Sequence, residues 1–257
     1  MNWQQVFTAY KTISIKEILR FSRIWVQTIL PPAITMSLYF VIFGNLIGKA
    51  IGEMDGFEYI DYIVPGLIMM SVITNAYSNV VSSFFSSKMH GSVQELLISP
   101  TPNIVILLGF ITGGVARGLG VGIMVTIVAS FFTDLTIQHP FITLGIVFLT
   151  AFLFSIAGFI NAVFAKTFDA INIIPVFILT PLTYLGGVFY SVNMLSDFWR
   201  DVSMFNPVLY MVNGFRYGIL GISDISPLSS FALLLVFIVL LFSFAMYLLN
   251  RGIGLRE

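Results

Sequence analysis

Apolar residues fall in long, nearly unbroken runs along this chain. Six of them, at about 24–48, 62–86, 103–132, 141–165, 171–190 and 228–249, are 20 or more residues long, and only the third holds a charge, Arg117. A helix rises ~1.5 Å per residue and needs about 20 apolar residues to cross ~30 Å of hydrocarbon, so each run predicts one transmembrane helix. The alternating ~10-residue pattern of an outer-membrane barrel is absent. Ahead of the first run, Trp3, Val6, Phe7, Tyr10 and Ile13 recur at helical spacing with Gln4, Gln5, Thr8, Lys11 and Thr12 between them. This predicts an amphipathic helix over 1–23, lying in the membrane interface or packed on other protein, and not a cleaved signal peptide. Between the last two runs, residues 191–227 stay half apolar but carry Asp197, Arg200 and Asp201, then Asn206-Pro207, then Asn213 and Arg216 before Gly218 and Gly221. That pattern predicts a helical pair, either a re-entrant outer hairpin or a structured loop on the membrane surface. The expected fold is all-α and polytopic: one domain, 1–257, with six transmembrane helices.

Composition agrees: 58% of the 257 residues are hydrophobic and 9% charged, against ~25% charged in soluble domains. Twelve Lys and Arg balance twelve Asp and Glu, so there is no global basic field to hold nucleic acid. The balance is uneven in space. Lys11, Lys16, Arg20, Arg23, Lys88, Lys166, Arg251 and Arg256 fall on one side of the six predicted spans, while Lys49, Arg200 and Arg216 fall on the other with most of the acids. By the positive-inside rule the first side is cytoplasmic and holds both termini.

Enzymatic motifs are missing. Gly44-Asn45-Leu46-Ile47-Gly48-Lys49-Ala50 is one residue short of a phosphate-binding loop and ends in Ala where Ser or Thr should meet magnesium. His90 and His139 fall on opposite predicted sides, and with no cysteine there is no thiolate nucleophile or Cys zinc cluster. No metal site is expected. In the third run, Gly114, Gly118 and Gly122 repeat every four residues, preceded by Gly109 and Gly113. Such spacing lets helix backbones approach closely in lipid and reads as a packing seam. Arg117 sits within it and costs ~2.5–3.5 kcal/mol at the bilayer centre on insertion scales, so it must face protein or water, as a pathway-lining cation or as a structural arginine. Asn75 and Asn79 pose the same choice between pathway and interhelical packing.

The inner loop over 86–102 includes Gly91-Ser92-Val93-Gln94-Glu95-Leu96-Leu97-Ile98-Ser99-Pro100. Ser92 and Glu95 have capping-box spacing and Pro100 bars further helix, predicting a helix of about two turns. A helix that short is not stable alone in water and must dock against something. This segment resembles the first cytoplasmic loop of ABC-2-type permeases, the membrane subunits of a class of ATP-driven transporters. A second match lies downstream in the same order and spacing: Tyr184-Leu185-Gly186-Gly187-Val188-Phe189-Tyr190-Ser191, Phe198-Trp199, Asn206-Pro207-Val208-Leu209-Tyr210 and Gly214-Phe215-Arg216-Tyr217-Gly218 are similar to that family's fifth helix and outer hairpin.

The resemblance implies a bacterial inner-membrane exporter subunit with cytoplasmic termini, an interfacial N-terminal helix and re-entrant outer helices. It implies that Gly91, Ser92, Gln94, Glu95, Leu96 and Leu97 form a coupling helix seated on a separate ABC ATPase. ATP and Mg2+ belong to that partner, with no cofactor in this chain, and two permease copies surround a pathway among membrane lipids. Gly186, Gly187, Asn206, Pro207 and Arg216 carry the outer region. The alternatives are an ion-gradient-driven secondary transporter and a non-transporting membrane assembly subunit.

Overall fold

The protein is described by a computed structural model covering residues 2–255, with side-chain surroundings for all of these but residue 45. Arg256, one of the inner basic residues, lies outside the described residues. The main helices in chain order are α1 (Trp3–Arg23), α2 (Trp25–Ile51), α3 (Tyr59–Met89), α4 (Ser92–Ile98), α5 (Asn103–Ala129), α6 (Pro140–Phe164), α7 (Ala170–Tyr184), α8 (Asp197–Met204), α9 (Pro207–Leu220) and α10 (Pro227–Arg251). The all-α expectation needs one correction. Between α2 and α3, Glu53–Met54 pairs antiparallel with Phe57–Glu58, and the chain reverses through Asp55 and Gly56, both at positive φ.

Five helices, α2, α3, α5, α6 and α10, are long and apolar enough to cross a membrane. The remaining apolar run, expected over 171–190, forms the shorter α7, which at ~1.5 Å per residue reaches about 22 Å. It stops because the chain leaves helical geometry at Leu185 and turns through Gly187 at φ 67. The stretch after it packs inward, with Val188 beside Gly66, about two turns into α3.

α3 is the hub, with 83% of its most apolar window buried against 22% for α2 and for α10. Its Leu67, Val72, Ala76, Val80 and Phe84 are fully buried. In lipid there is little hydrophobic drive between helices, so their association depends on backbone-close van der Waals contact. The glycines of α5 provide it on two faces. A Cβ on Gly114 would stand 2.9 Å from the Ala76 carbonyl oxygen, and one on Gly118 2.8 Å from the Ala76 Cβ. Gly109 and Gly113 instead admit α1, through Ile13 and Glu17. The N-terminal helix therefore packs along one flank on α5, while Trp3, Phe7 and Leu19 remain exposed on another.

The connections sort to two ends of the bundle. At one, Lys88 Nζ donates to the carbonyls of Val163 (2.7 Å) and Ala165 (3.0 Å), and Asn103 Nδ2 donates to Asn250 Oδ1 (2.8 Å). At the other, the Tyr59 hydroxyl donates to the Phe189 carbonyl (3.1 Å), and the His139 amide donates to the Gly218 carbonyl (2.8 Å). These groupings match the two sides assigned from charge.

The glycine seam yields a stability prediction. Gly114→Val overpacks the α3 contact and costs about 1–3 kcal/mol, visible as a lowered melting temperature of the purified protein in detergent. Gly120→Ala, which meets nothing within 4 Å, leaves melting unchanged. Equal melting of Gly114→Val and wild type removes the seam as a packing constraint.

Candidate functional site

The short inner helix forms as expected in length, seven residues from Ser92 to Ile98, but its cap differs. Gly91 occupies the N-cap position at φ 77, and its carbonyl accepts from the Gln94 and Glu95 amides. Ser92 is then the first helical residue, with no side-chain cap, so the expected capping box is not formed. The sharp turn at Gly91 takes precedence over hydroxyl capping because only glycine enters the left-handed region without cost. Val93 is buried, and Leu96 and Leu97 pack partly against the core. Gln94 and Glu95 are exposed, and Ile98, one turn on, is 86% exposed. The outward face is thus Gln94, Glu95 and Ile98, whereas Leu96 and Leu97 hold α4 to its own chain. Sequence reasoning missed Ile98, although its four-residue spacing from Gln94 was the available signal.

From α4, a polar stripe climbs one face of α3: Ser87, Ser83, Asn79, Asn75 and Ser71, each four residues apart. Glu17 of α1 is fully buried and accepts from the Ser83 hydroxyl at 2.5 Å, with Arg20 Nε at 3.4 Å and Lys16 Nζ at 3.6 Å from its carboxylate. Arg20 also donates to the carbonyl (2.9 Å) and Oδ1 (2.8 Å) of Asn79. One turn further, Arg117 Nη2 donates to Asn75 Oδ1 at 3.0 Å. The three residues Arg117, Asn75 and Asn79 are therefore brought onto one stripe with Glu17 and Arg20. Nothing local in the sequence signalled the Glu17–Ser83 pairing, which spans 66 positions.

At the opposite end, Arg216 of α9 is buried and donates from Nη2 to the Gly187 carbonyl at 2.6 Å and from Nε to the Tyr62 carbonyl at 3.3 Å. Its guanidinium lies 3.9 Å from the Tyr62 ring centre, a cation–π contact that ties α9 to α3. Asn206 caps α9 by accepting from the Val208 amide (3.0 Å), Pro207 fills the first helical position, and Asn206 Nδ2 reaches back to the Leu182 carbonyl at 2.6 Å. Gly186 lies against Val208, where a Cβ would stand 2.8 Å from its Cγ1. These five residues thus form one joint between α7, α9 and α3, far from α4. Among the described residues no group of three or more His, Asp or Glu could hold a metal ion.

The family model for ABC-2 type transporters matches residues 8–220. The chain is 57% identical over 252 residues to the inner membrane transport permease YadH of Escherichia coli K12, covering 98% of both chains, and equally to that of Shigella flexneri. It is 22% identical over 250 residues to nodulation protein J of Sinorhizobium fredii, covering 97% of this chain and 91% of that one. A match over most of the length, together with close identity to a membrane permease, identifies this chain as a member of the ABC-2 type transporter family.

Proposed function

We propose that this chain is the permease subunit of an ATP-binding cassette exporter, moving an amphipathic substrate across the bacterial inner membrane by coupling to a separate ATPase. The observation that carries the reading is α4: an exposed face of Gln94, Glu95 and Ile98 on a helix fixed to the buried hub α3. A solvent-facing isoleucine beside a glutamate fits a protein partner that supplies an apolar recess and a basic residue. ATP and Mg2+ bind in that partner, and its closure pushes α4 and, through α3, the membrane core. Two copies of the permease form the working unit, an arrangement favoured by the mostly unburied apolar surfaces of α2 and α7.

In this reading α7 is the fifth of six crossings. It leads from the α4 end, where Asn161 Nδ2 bonds the Ile171 carbonyl, toward the opposite end, where Tyr184 meets Phe189. Its shortness is made up by the inward-lying turn at 185–188, and α8 and α9 complete a re-entrant outer hairpin. α1 lies at the inner membrane surface, with Trp3 and Phe7 toward lipid. Both termini are cytoplasmic.

Two measurements check the proposal. In the purified complex with its ATPase, Ile98→Asp and Glu95→Lys leave the permease folded but weaken assembly. Burying an isoleucine is worth roughly 1.5–3 kcal/mol, so Ile98→Asp weakens the complex by about 10-fold or more. Unchanged assembly and ATP turnover in both variants contradicts the coupling role. The chain has no cysteine, which makes topology direct to test. A membrane-impermeant maleimide labels Gln94→Cys only from the cytoplasmic side and Asp55→Cys only from the outside, and the reverse pattern overturns the orientation.

A further inference from the structure

Between α2 and α3, at mid-height of the bundle, lies a cavity of about 400 Å³. Its lining is mixed, with Pro31, Pro32, Met36 and Met70 apolar and Gln27, Thr35, Asn75, Ser78 and Arg117 polar. Arg117 is near the middle of α5, roughly 18–21 Å from either end at ~1.5 Å per residue. Its guanidinium makes one side-chain hydrogen bond, to the neutral Asn75, and its buried Nε has no partner. Among the described residues no carboxylate lies within ion-pairing distance of it, and no Asp or Glu lines the cavity. Its charged neighbour is Arg20, a second cation.

An arginine at mid-membrane is expensive and is ordinarily compensated by an anion or by several carbonyls. Arg117 has neither in this chain. Arg216 in the same fold is by contrast held by two carbonyls and an aromatic ring, with its Nη1 left without a partner. Arg117 instead presents its fork to a hollow of ligand size.

At the α4 end of the same α3 stripe a second cavity, of about 270 Å³, is lined by Lys16, Arg20, His90 and the hydroxyls of Ser83, Ser87 and Ser92. Glu17 of α1, the carboxylate bonded to the stripe through Ser83, is already engaged by Lys16 and Arg20.

We propose that the α2–α3 cavity is a binding site for the anionic group, a carboxylate or phosphate, of an amphipathic molecule, with Arg117 as its cation and Pro31, Met36 and Met70 in contact with its apolar part. Arg suits this role because its planar fork pairs with both oxygens of such a group. The inference rests on reading the chain as a permease for amphipathic molecules, and deepens it by fixing the sign of the substrate's charge.

Dodecyl phosphate binding to the full-length chain in phosphatidylcholine nanodiscs, without the ATPase, tests the site apart from coupling. Wild type binds it saturably, Arg117→Gln binds at least about 10-fold more weakly, a loss of ~1.4 kcal/mol, and Arg117→Lys recovers part of the loss. Thr74→Trp, which fills the cavity from α3 and leaves Arg117 in place, also weakens binding and supplies the readout if Arg117→Gln does not fold. Ile98→Asp binds as wild type does, so that a failure of coupling and a failure of this site are distinguishable. Equal binding in wild type and either cavity variant, equal binding of neutral dodecyl maltoside at the same site, or displacement by equimolar inorganic phosphate each overturns the proposal.

Discussion

Hydrocarbon offers a polar side chain no partner, so every polar group on a buried membrane helix must be answered from within the protein. This constraint organises the molecule around α3. Its stripe of Ser71, Asn75, Asn79, Ser83 and Ser87 recruits Arg117 from α5 and Glu17 and Arg20 from α1. The glycines of α5 bring both neighbours close enough for that recruitment, Gly114 and Gly118 toward α3 and Gly109 and Gly113 toward α1. Packing and polar satisfaction thus act on the same contact lines. Loosening the glycine seam would also lengthen the Arg117–Asn75 bond that lies beside it.

The same helix carries the proposed mechanical link. Pro65, the one proline within α3, lies near its N-terminal end, so the helix from Gly66 to Met89 is uninterrupted. α4 comes after a two-residue turn and is held down by Val93, Leu96 and Leu97. A push on the exposed Gln94–Glu95–Ile98 face is therefore delivered to α3 as a whole, and the polar stripe moves with it. α2, which forms the other wall of the Arg117 cavity, is loosely held. It carries Pro31 and Pro32 in its first turns and widens to π-helical geometry over Phe40–Ile47, features that weaken regular hydrogen bonding. The cavity thus has an α3 side joined to α4 and an α2 side that is not.

Much of this was legible in the sequence, because length and apolarity are local properties. The long runs became α2, α3, α5, α6 and α10, the four-residue glycine repeat became a packing seam, and the loop around Glu95 became a two-turn helix. What stayed hidden depended on distant partners. The run over 171–190 ends early as a helix because Gly187 turns left-handed and its carbonyl is held by Arg216, 29 positions away. The sequence favours an interfacial α1, and its packing on α5 was hidden because the glycines that receive it lie some 96 residues downstream of Ile13. Spacing alone assigns the cap of α4 to Ser92, and the conformation of Gly91 reassigns it. Asn75 and Asn79 meet Arg117 and Arg20 from other helices, partners that no local spacing signals.

In the proposed mechanism α3 acts as a rigid lever between the ATPase and the Arg117 cavity. Spin labels on the cysteine-free chain measure it directly in the assembled transporter, with one pair along α3 and α4 at Gln94 and Thr74, and one pair across the cavity at Ile34 and Thr74. With a rigid α3, ATP binding leaves the first distance unchanged and shifts the second. An unchanged Ile34–Thr74 distance in a complex that binds and hydrolyses ATP would contradict this mechanism.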